Sequence, residues 1–422
     1  MESVTYILLY FLLLLSCFIF SILNIHKYKT KTSIYIFLIW ILSAISAYFF
    51  YEATNGVVRD YSKITLIPFI YLFVALNISI YPIYKYDHIQ YFGYSYSSKQ
   101  HKILVNVALF SFFCSILPLI ENILRLPVSF GNSDVLSDMY EDRENYLSFF
   151  GRKFQLLCDY LSLVSPIVLF YLLSLKKKSW KLIGGCLCVV LNECLFSFNT
   201  GGRSGLVQNL FYLFIVYAIM EKNIDQKIKK RINYIGLFLI SFLIIAVLLV
   251  TISRYNSSES DTGNIFTWLA LYAGEGPLNF NNDMWYVTKS TNGDNTFVAL
   301  RWLLGLTDVD SVQDNWLINQ NLGVRGNVFY TYIGFIFADY NIVGTILFLS
   351  LISILLLMKI KTYRNKLPIH NIFYIALWSR VLFSGTTFYS YMNFRSNFVL
   401  LYTLLFCIYL EFNYANKPLQ NS

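Results

Sequence analysis

Charge is scarce in this chain. Asp, Glu, Lys and Arg together make up 14% of its 422 residues, against 56% for the apolar types, and the mean hydropathy is +0.53. Soluble domains carry about 25% charged residues, so a reading as two or three soluble domains is excluded. Histidine is scarcer still, with only His26, His88, His101 and His370. None falls in the one long polar stretch, 253–327, which excludes imidazole there as a base or metal ligand. The seven cysteines (Cys17, Cys114, Cys158, Cys186, Cys188, Cys194 and Cys407) all lie within apolar segments, which excludes a disulfide framework in the loops. The sequence has no phosphate-binding glycine loop, dinucleotide fingerprint or internal repeat, and no domain to house cytosolic nucleotide chemistry.

Apolar runs take up most of the length. They fall at 4–24, 33–51, 64–84, 103–123, 154–175, 182–198, 205–220, 233–252, 341–358, 368–388 and 397–412, each near the length needed to cross the ~30 Å hydrocarbon layer as a helix. The expectation is an all-α integral membrane protein with about eleven transmembrane helices in a single polytopic domain. The first run lacks a basic start and a small-residue cleavage site, so it reads as a retained span. The apolar segment 328–339 is too short to cross, and two spans do not fit between it and Met358. It is expected to lie at the interface or to re-enter.

The net charge of +9 carries no nucleic-acid signal, because the cations are spread as orientation signals. Short loops on one side hold Lys27, Lys29 and Lys31, then Lys176, Lys177, Lys178 and Lys181, then Lys227, Lys229, Lys230 and Arg231. The opposite loops are poorer in cations. The amino terminus is therefore expected outside and the carboxyl terminus inside. The 253–327 stretch becomes a large outer loop, and 125–153 a second, acidic one.

Several side chains on that outer side have chemistry to offer. Gly201-Gly202-Arg203 turns between two spans, where a helix start and a guanidinium together favour an anion at headgroup level. Arg254, Arg325 and Arg395 mark the same side. Arg380 sits about 18 Å into the tenth span at helical rise, where a cation is paired or faces a cavity. Trp268, Tyr272 and Trp285 offer flat apolar faces with polar tips beside several asparagines, a mixture suited to sugar rings. Glu275, Asp283 and Asp339 are candidate general bases. Asp308-Val309-Asp310 is a weak match to a metal-holding pattern, and neither a metal nor a cofactor is expected.

These features resemble the bacterial oligosaccharide repeat-unit (O-antigen) polymerases of the Wzy type. The resemblance rests on the Gly-Gly-Arg turn at 201–203, the large outer loop with Tyr272 to Trp285, and the run from Tyr330 through Asp339 to Gly344. It implies a membrane glycosyltransferase-like fold in the bacterial inner membrane, with the amino terminus periplasmic. The implied activity moves a growing glycan from its polyprenyl diphosphate onto the distal sugar of a lipid-linked repeat unit. Donor and acceptor are then both polyprenyl-diphosphate-linked oligosaccharides, with a chain-length regulator and a flippase as further partners. Arg203, at the motif position, is implied as a diphosphate ligand, with Arg254 beside it. The Arg-x10-Gly pattern of some members is absent from the outer arginines. Two alternatives are an O-antigen ligase, whose outer-loop histidine has no counterpart here, and a flippase or transporter.

Overall fold

The computed structural model describes residues 2–23, 31–54, 59–89, 91, 93–131, 147–200, 203–237, 241, 265–326, 328–362 and 365–414. In chain order the helices are α1 (Glu2–Leu23), α2 (Thr32–Thr54), α3 (Leu66–His88), α4 (Ser98–Gly131), α5 (Phe149–Leu161), α6 (Ser165–Ser174) and α7 (Trp180–Asn199). They continue as α8 (Arg203–Met220), α9 (Ile265–Asn282), α10 (Val298–Leu303), α11 (Val312–Asn321), α12 (Tyr332–Lys359), α13 (Ile369–Ser384) and α14 (Phe394–Phe412). Two residue pairs, β1 (Tyr94–Ser95) and β2 (Leu367–Pro368), form a short parallel ladder.

The protein is an all-α membrane protein. Among the described residues seven helices are long and apolar enough to cross a bilayer: α1, α2, α3, α4, α7, α12 and α14. The pair α5 and α6, bent by 60°, makes an eighth if counted as one span. The expected span at 154–175 is this bent pair, and Pro166 in the first turn of α6 accounts for the break, having no N–H to continue the ladder of α5. Of the other expected spans, α8 and α13 are helices of 18 and 16 residues, shorter than any of the seven. The run 233–252 lies largely outside the described residues.

The chain divides into two compact units. The first comprises 1–90, 258–361 and 377–401. In α1 a single stripe, Ile7, Tyr10, Leu14 and Ser21, is buried, whereas Leu8, Leu12, Phe20 and Leu23 are exposed. An apolar helix exposed on its other faces is at home only in lipid. Tyr10 stacks on Phe69 of α3 at 5.1 Å. The amino terminus of α2 is capped from another helix. The Asp87 carboxylate accepts from Thr32 N (3.2 Å), Ser33 N (2.8 Å) and Ser33 Oγ (2.6 Å), satisfying N–H groups the helix itself cannot.

The centre of this unit is the first part of α12. Every residue from Tyr330 to Asp339 is buried, with Thr331 capping Gly334 N at 3.2 Å. The helix breaks at Asn341 (φ 56, ψ −169), between the short apolar segment and the span read from the sequence. Tyr71 Oη donates to the Ile342 carbonyl at 2.8 Å beside the break. Two tryptophans fix the surrounding helices: Trp40 Nε1 donates to Leu382 O and Trp378 Nε1 to Ser79 O, both at 2.9 Å.

The stretch expected as one polar outer loop is, from residue 265 on, largely helical. Its first element, α9, packs along α2, with Ser43 Oγ donating to Ala273 O at 2.7 Å. A Cβ on Gly274 would overlap the backbone of Ser46 and Ala47, and one on Gly276 would overlap Thr386 O. Only glycine lets α9 lie so close on both sides.

The second unit comprises 91–257, 362–376 and 402–422. Here α4 packs on α7 through Gly185, where a Cβ would stand 2.6 Å from Ala108 O. Buried amides run between helices: Asn122 Nδ2 donates to Asn192 Oδ1 (3.0 Å) and Asn192 Nδ2 to Gln155 Oε1 (2.8 Å). Gln155 Nε2 in turn donates to Glu193 Oε1 (2.8 Å) and Asp159 Oδ1 (3.2 Å). Tyr212 Oη reaches the Leu163 carbonyl, freed at the α5–α6 bend, at 2.8 Å.

Candidate functional site

Glu275, Asn279 and Asp283 recur every four residues and so line one face at the carboxyl-terminal end of α9. In water such a face would be an ordinary polar stripe. Here it is turned inward: Glu275, Asn279, Asn281 and Asn282 are all buried. Each asparagine is matched to the 59–65 connection after α2. Asn281 takes both polar backbone groups of Thr65 (2.9 and 2.7 Å), while Asn282 accepts from Lys63 N (3.0 Å) and donates to Asp60 O (2.8 Å). This fully bonded seam holds the connection, and Arg59 with it, against α9.

Two ion pairs stand on this frame. Arg59 pairs with Glu275, and Arg325 pairs with Asp283 through Nε (3.0 Å) and Nη2 (2.7 Å). Asn279 joins them, donating to Glu275 Oε1 (2.9 Å) and accepting from Arg325 Nη2 (2.9 Å) and Tyr61 Oη (3.1 Å). Its amide also donates to Phe329 O at 2.8 Å. The result is one hydrogen-bonded chain, Arg59–Glu275–Asn279–Arg325–Asp283. The Arg325 guanidinium lies 5.9 Å from the Tyr61 ring centre, and Tyr330 Oη donates to Arg325 O at 3.2 Å.

Exposure shows which way the charges face. The side chains of Arg59 and Arg325 are 23% and 35% exposed, against 4% and 17% for Glu275 and Asp283. Carboxylates form the floor and guanidiniums the surface, an arrangement that presents cationic donors to an arriving anion. Burial pushes the Arg59 pKa down, with Tyr61 and Asp283 opposing. At Arg325 burial acts in the same direction, but the Asp283 carboxylate outweighs it and the net shift is upward. Burial lifts the Tyr61 phenol to about 12, and burial with Asp283 raises Tyr330 further, so both remain neutral donors. On Glu275 both bonds fall on Oε1 among the described residues, leaving Oε2 as the atom able to accept a proton.

Of the residues singled out from the sequence, Glu275, Asp283 and Arg325 come together here. Tyr272 is near them, half-exposed and packed on Phe329, whose carbonyl holds Asn279. Trp285 is instead part of an aromatic core with Tyr71, Phe280 and Phe337. Asp339 is elsewhere and fully engaged. Its two oxygens accept from Thr291 Oγ1, Asn295 N (3.1 Å), Asn295 Nδ2 (3.2 Å), Thr296 N (2.8 Å) and Thr296 Oγ1 (2.7 Å). That is the geometry of a latch, holding the 290–296 turn to the end of the buried helix. Arg380 lies 5.7 Å from the Tyr391 ring centre, and Arg395 is exposed on the first turn of α14. Arg203 begins α8, but its side chain, like that of Trp268 and the whole of Arg254, lies outside the described residues. Asp308 and Asp310 are exposed, and among the described residues no cluster of His, Cys, Asp and Glu suits a metal.

Arg59 was missed by sequence reasoning. Its signal was position: an arginine in a short connection on the cation-poor side, followed by Asp60 and Tyr61. Compared with known proteins, the chain matches no family model, no curated protein and no solved structure.

Proposed function

We propose that the protein is a glycosyltransferase that polymerises polyprenyl-diphosphate-linked oligosaccharide repeat units on the outer face of the bacterial inner membrane. The observation carrying this reading is the pair of outward-facing guanidiniums over two carboxylates at the end of α9. Glycosyl transfer from a lipid diphosphate needs two things: a cationic receiver for the leaving diphosphate and a base for the attacking hydroxyl. Arg59 and Arg325 serve as the first. Glu275 is assigned as the base.

In this scheme the acceptor hydroxyl attacks the donor's anomeric carbon, and the bond from that carbon to the phosphate oxygen breaks. The electron pair leaves with the diphosphate and is stabilised by the two guanidiniums. The hydroxyl proton passes to Glu275 Oε2. The diphosphate also competes with Glu275 for Arg59, loosening the pair as the donor binds and leaving the carboxylate a better base. Tyr272, exposed beside the site, offers a face for a sugar ring.

The test is the glycan ladder of a chromosomal deletion, complemented with wild type, with Glu275→Gln and with Arg325→Ala. Collapse to core plus one repeat unit in the deletion and in both variants is expected. An unchanged ladder in the deletion overturns the reading, and bare core reassigns the protein to ligation or to supply of flipped units.

A further inference from the structure

The first unit also carries a polar groove, and we infer that it is the acceptor subsite and takes a sugar bearing one negative charge. This inference rests on the glycosyltransferase reading above. The open groove, about 350 Å³, is lined by the 289–292 turn, Asp294, Arg301 and Asn321, together with the aliphatic Ile318 and Leu322. Hydroxyls, amides and charges with a small aliphatic patch match a sugar, which has hydroxyl edges and a weakly apolar ring face.

The polar wall is fixed in advance. It is the turn latched by Asp339, and it is anchored twice more, by Ser290 Oγ to Asp339 O and by Thr291 N to Ala338 O (2.9 Å). Asn292 and Gly293 turn the chain at φ 54 and φ 100, with Asn292 N donating to Ser290 Oγ at 3.0 Å. A wall held this way loses little conformational freedom when a ligand arrives, which favours binding of a small polar molecule.

Charge sets the ligand's sign. The Arg301 guanidinium is held by Asp294 Oδ1 (2.7 Å) and Leu306 O (3.1 Å), so that pair is neutral. Lys289 is exposed and forms no ion pair among the described residues. The groove therefore keeps one net positive charge, and a monoanionic sugar such as a hexuronate completes it.

Position ties the groove to the reaction. Leu322 lines it, and Arg325, three residues on, holds Asp283. Three residues of chain span at most about 10 Å. Asp339, which latches the groove wall, closes the buried first part of α12, and the N-cap of that helix, Thr331, has its Cγ2 3.5 Å from where a Cβ on Gly276 would be. A short oligosaccharide seated in the groove therefore lies beside the segment that carries Arg325, the partner of Asp283.

The test is saturation-transfer NMR on the full chain in nanodiscs. The probes are a glucuronic-acid-containing disaccharide and the same disaccharide with its carboxyl reduced to hydroxymethyl. The acid is expected to bind about tenfold more tightly than the reduced compound, and Lys289→Gln to erase that difference without altering the melting temperature. Equal binding of the two probes, no binding of either, or indifference to Lys289→Gln overturns the inference. Chain growth is read separately. If Glu275→Gln stops growth while Lys289→Gln leaves binding unchanged, the transferase reading stands and the subsite falls. If Lys289 governs binding while the deletion leaves the ladder unchanged, the groove still binds an acidic sugar, but the transferase reading falls and the acceptor role with it.

Discussion

Arg59 and Glu275 are separated by 216 residues, yet neither charge is tolerable alone where they meet. Glu275→Gln keeps the shape and the Asn279 contact but strands a guanidinium that is only about a quarter exposed. Breaking a fully buried pair costs about 3–5 kcal/mol, so a loss of roughly 2–3 kcal/mol is expected for this partly exposed one. Adding Arg59→Gln should recover most of that stability, since two neutral amides can bond each other, while chain growth stays abolished. Thermal unfolding of the two variants beside their glycan ladders checks both halves, and recovered growth in the double variant would mean the pair is structural. The neighbouring phenol gives a pH test. Burial lifts Tyr61 from 10.0 to about 12. A raised folded value stabilises fully below pH 10 and is lost as pH rises through 12, so Tyr61→Phe should flatten the fall in melting temperature between those values. Glu275, Asp283 and Arg325 were legible from the sequence because they are charged groups in a stretch with few other reasons to hold them. Asp339 was legible as a carboxylate but not as a latch. Its donors lie more than forty residues away, and no local pattern announces such a partnership.

At the scale of elements, α9 is the departure from sequence expectation. Its polar face suggested an exposed loop, because burial of Glu275 and the asparagines depends on the complementary seam at 59–65, which is remote in sequence. The glycines flanking Glu275 were the readable signal: Gly274 and Gly276 leave no room for a side chain on either side. Gly274→Ala should cost about 2–3 kcal/mol through forced separation from α2. Two adjacent glycines in α7 supply a control. A Cβ on Gly184 meets nothing within 4 Å, whereas one on Gly185 meets Ala108 O at 2.6 Å. Alanine at 184 should be neutral or stabilising by up to about 1 kcal/mol, and alanine at 185 destabilising. Melting temperatures of the three variants decide it. The break in α12 was legible, since 328–339 is too short to cross and 341–358 is long enough. The bend between α5 and α6 does not show in the hydropathy of 154–175, and Pro166 is its one mark in the sequence.

For the whole molecule, composition sufficed to assign membrane class, because a chain with so little charge cannot cover itself against water. The number of spans is harder to read, since buried helices and lipid-facing ones are equally apolar. Orientation is a prediction that labelling can settle. With the amino terminus outside, Asp308→Cys should react with a membrane-impermeant maleimide in intact spheroplasts, and Lys177→Cys only after lysis. The reverse pattern would invert the topology and remove the proposed site from the outer face.

The separation of Arg59 from Glu275 also has a consequence for biosynthesis. Translation runs at about 5–20 residues per second, so a nascent chain carries Arg59 for roughly 10–45 s before Glu275 is made. For most of that interval, once α3 has been made, the first three helices are complete, yet the face meant for α9 stands open and its cation has no carboxylate to meet. The early intermediate is thus a substrate for insertion chaperones and membrane proteases, and slow translation between residues 90 and 265 would lower the yield of finished protein without changing the product.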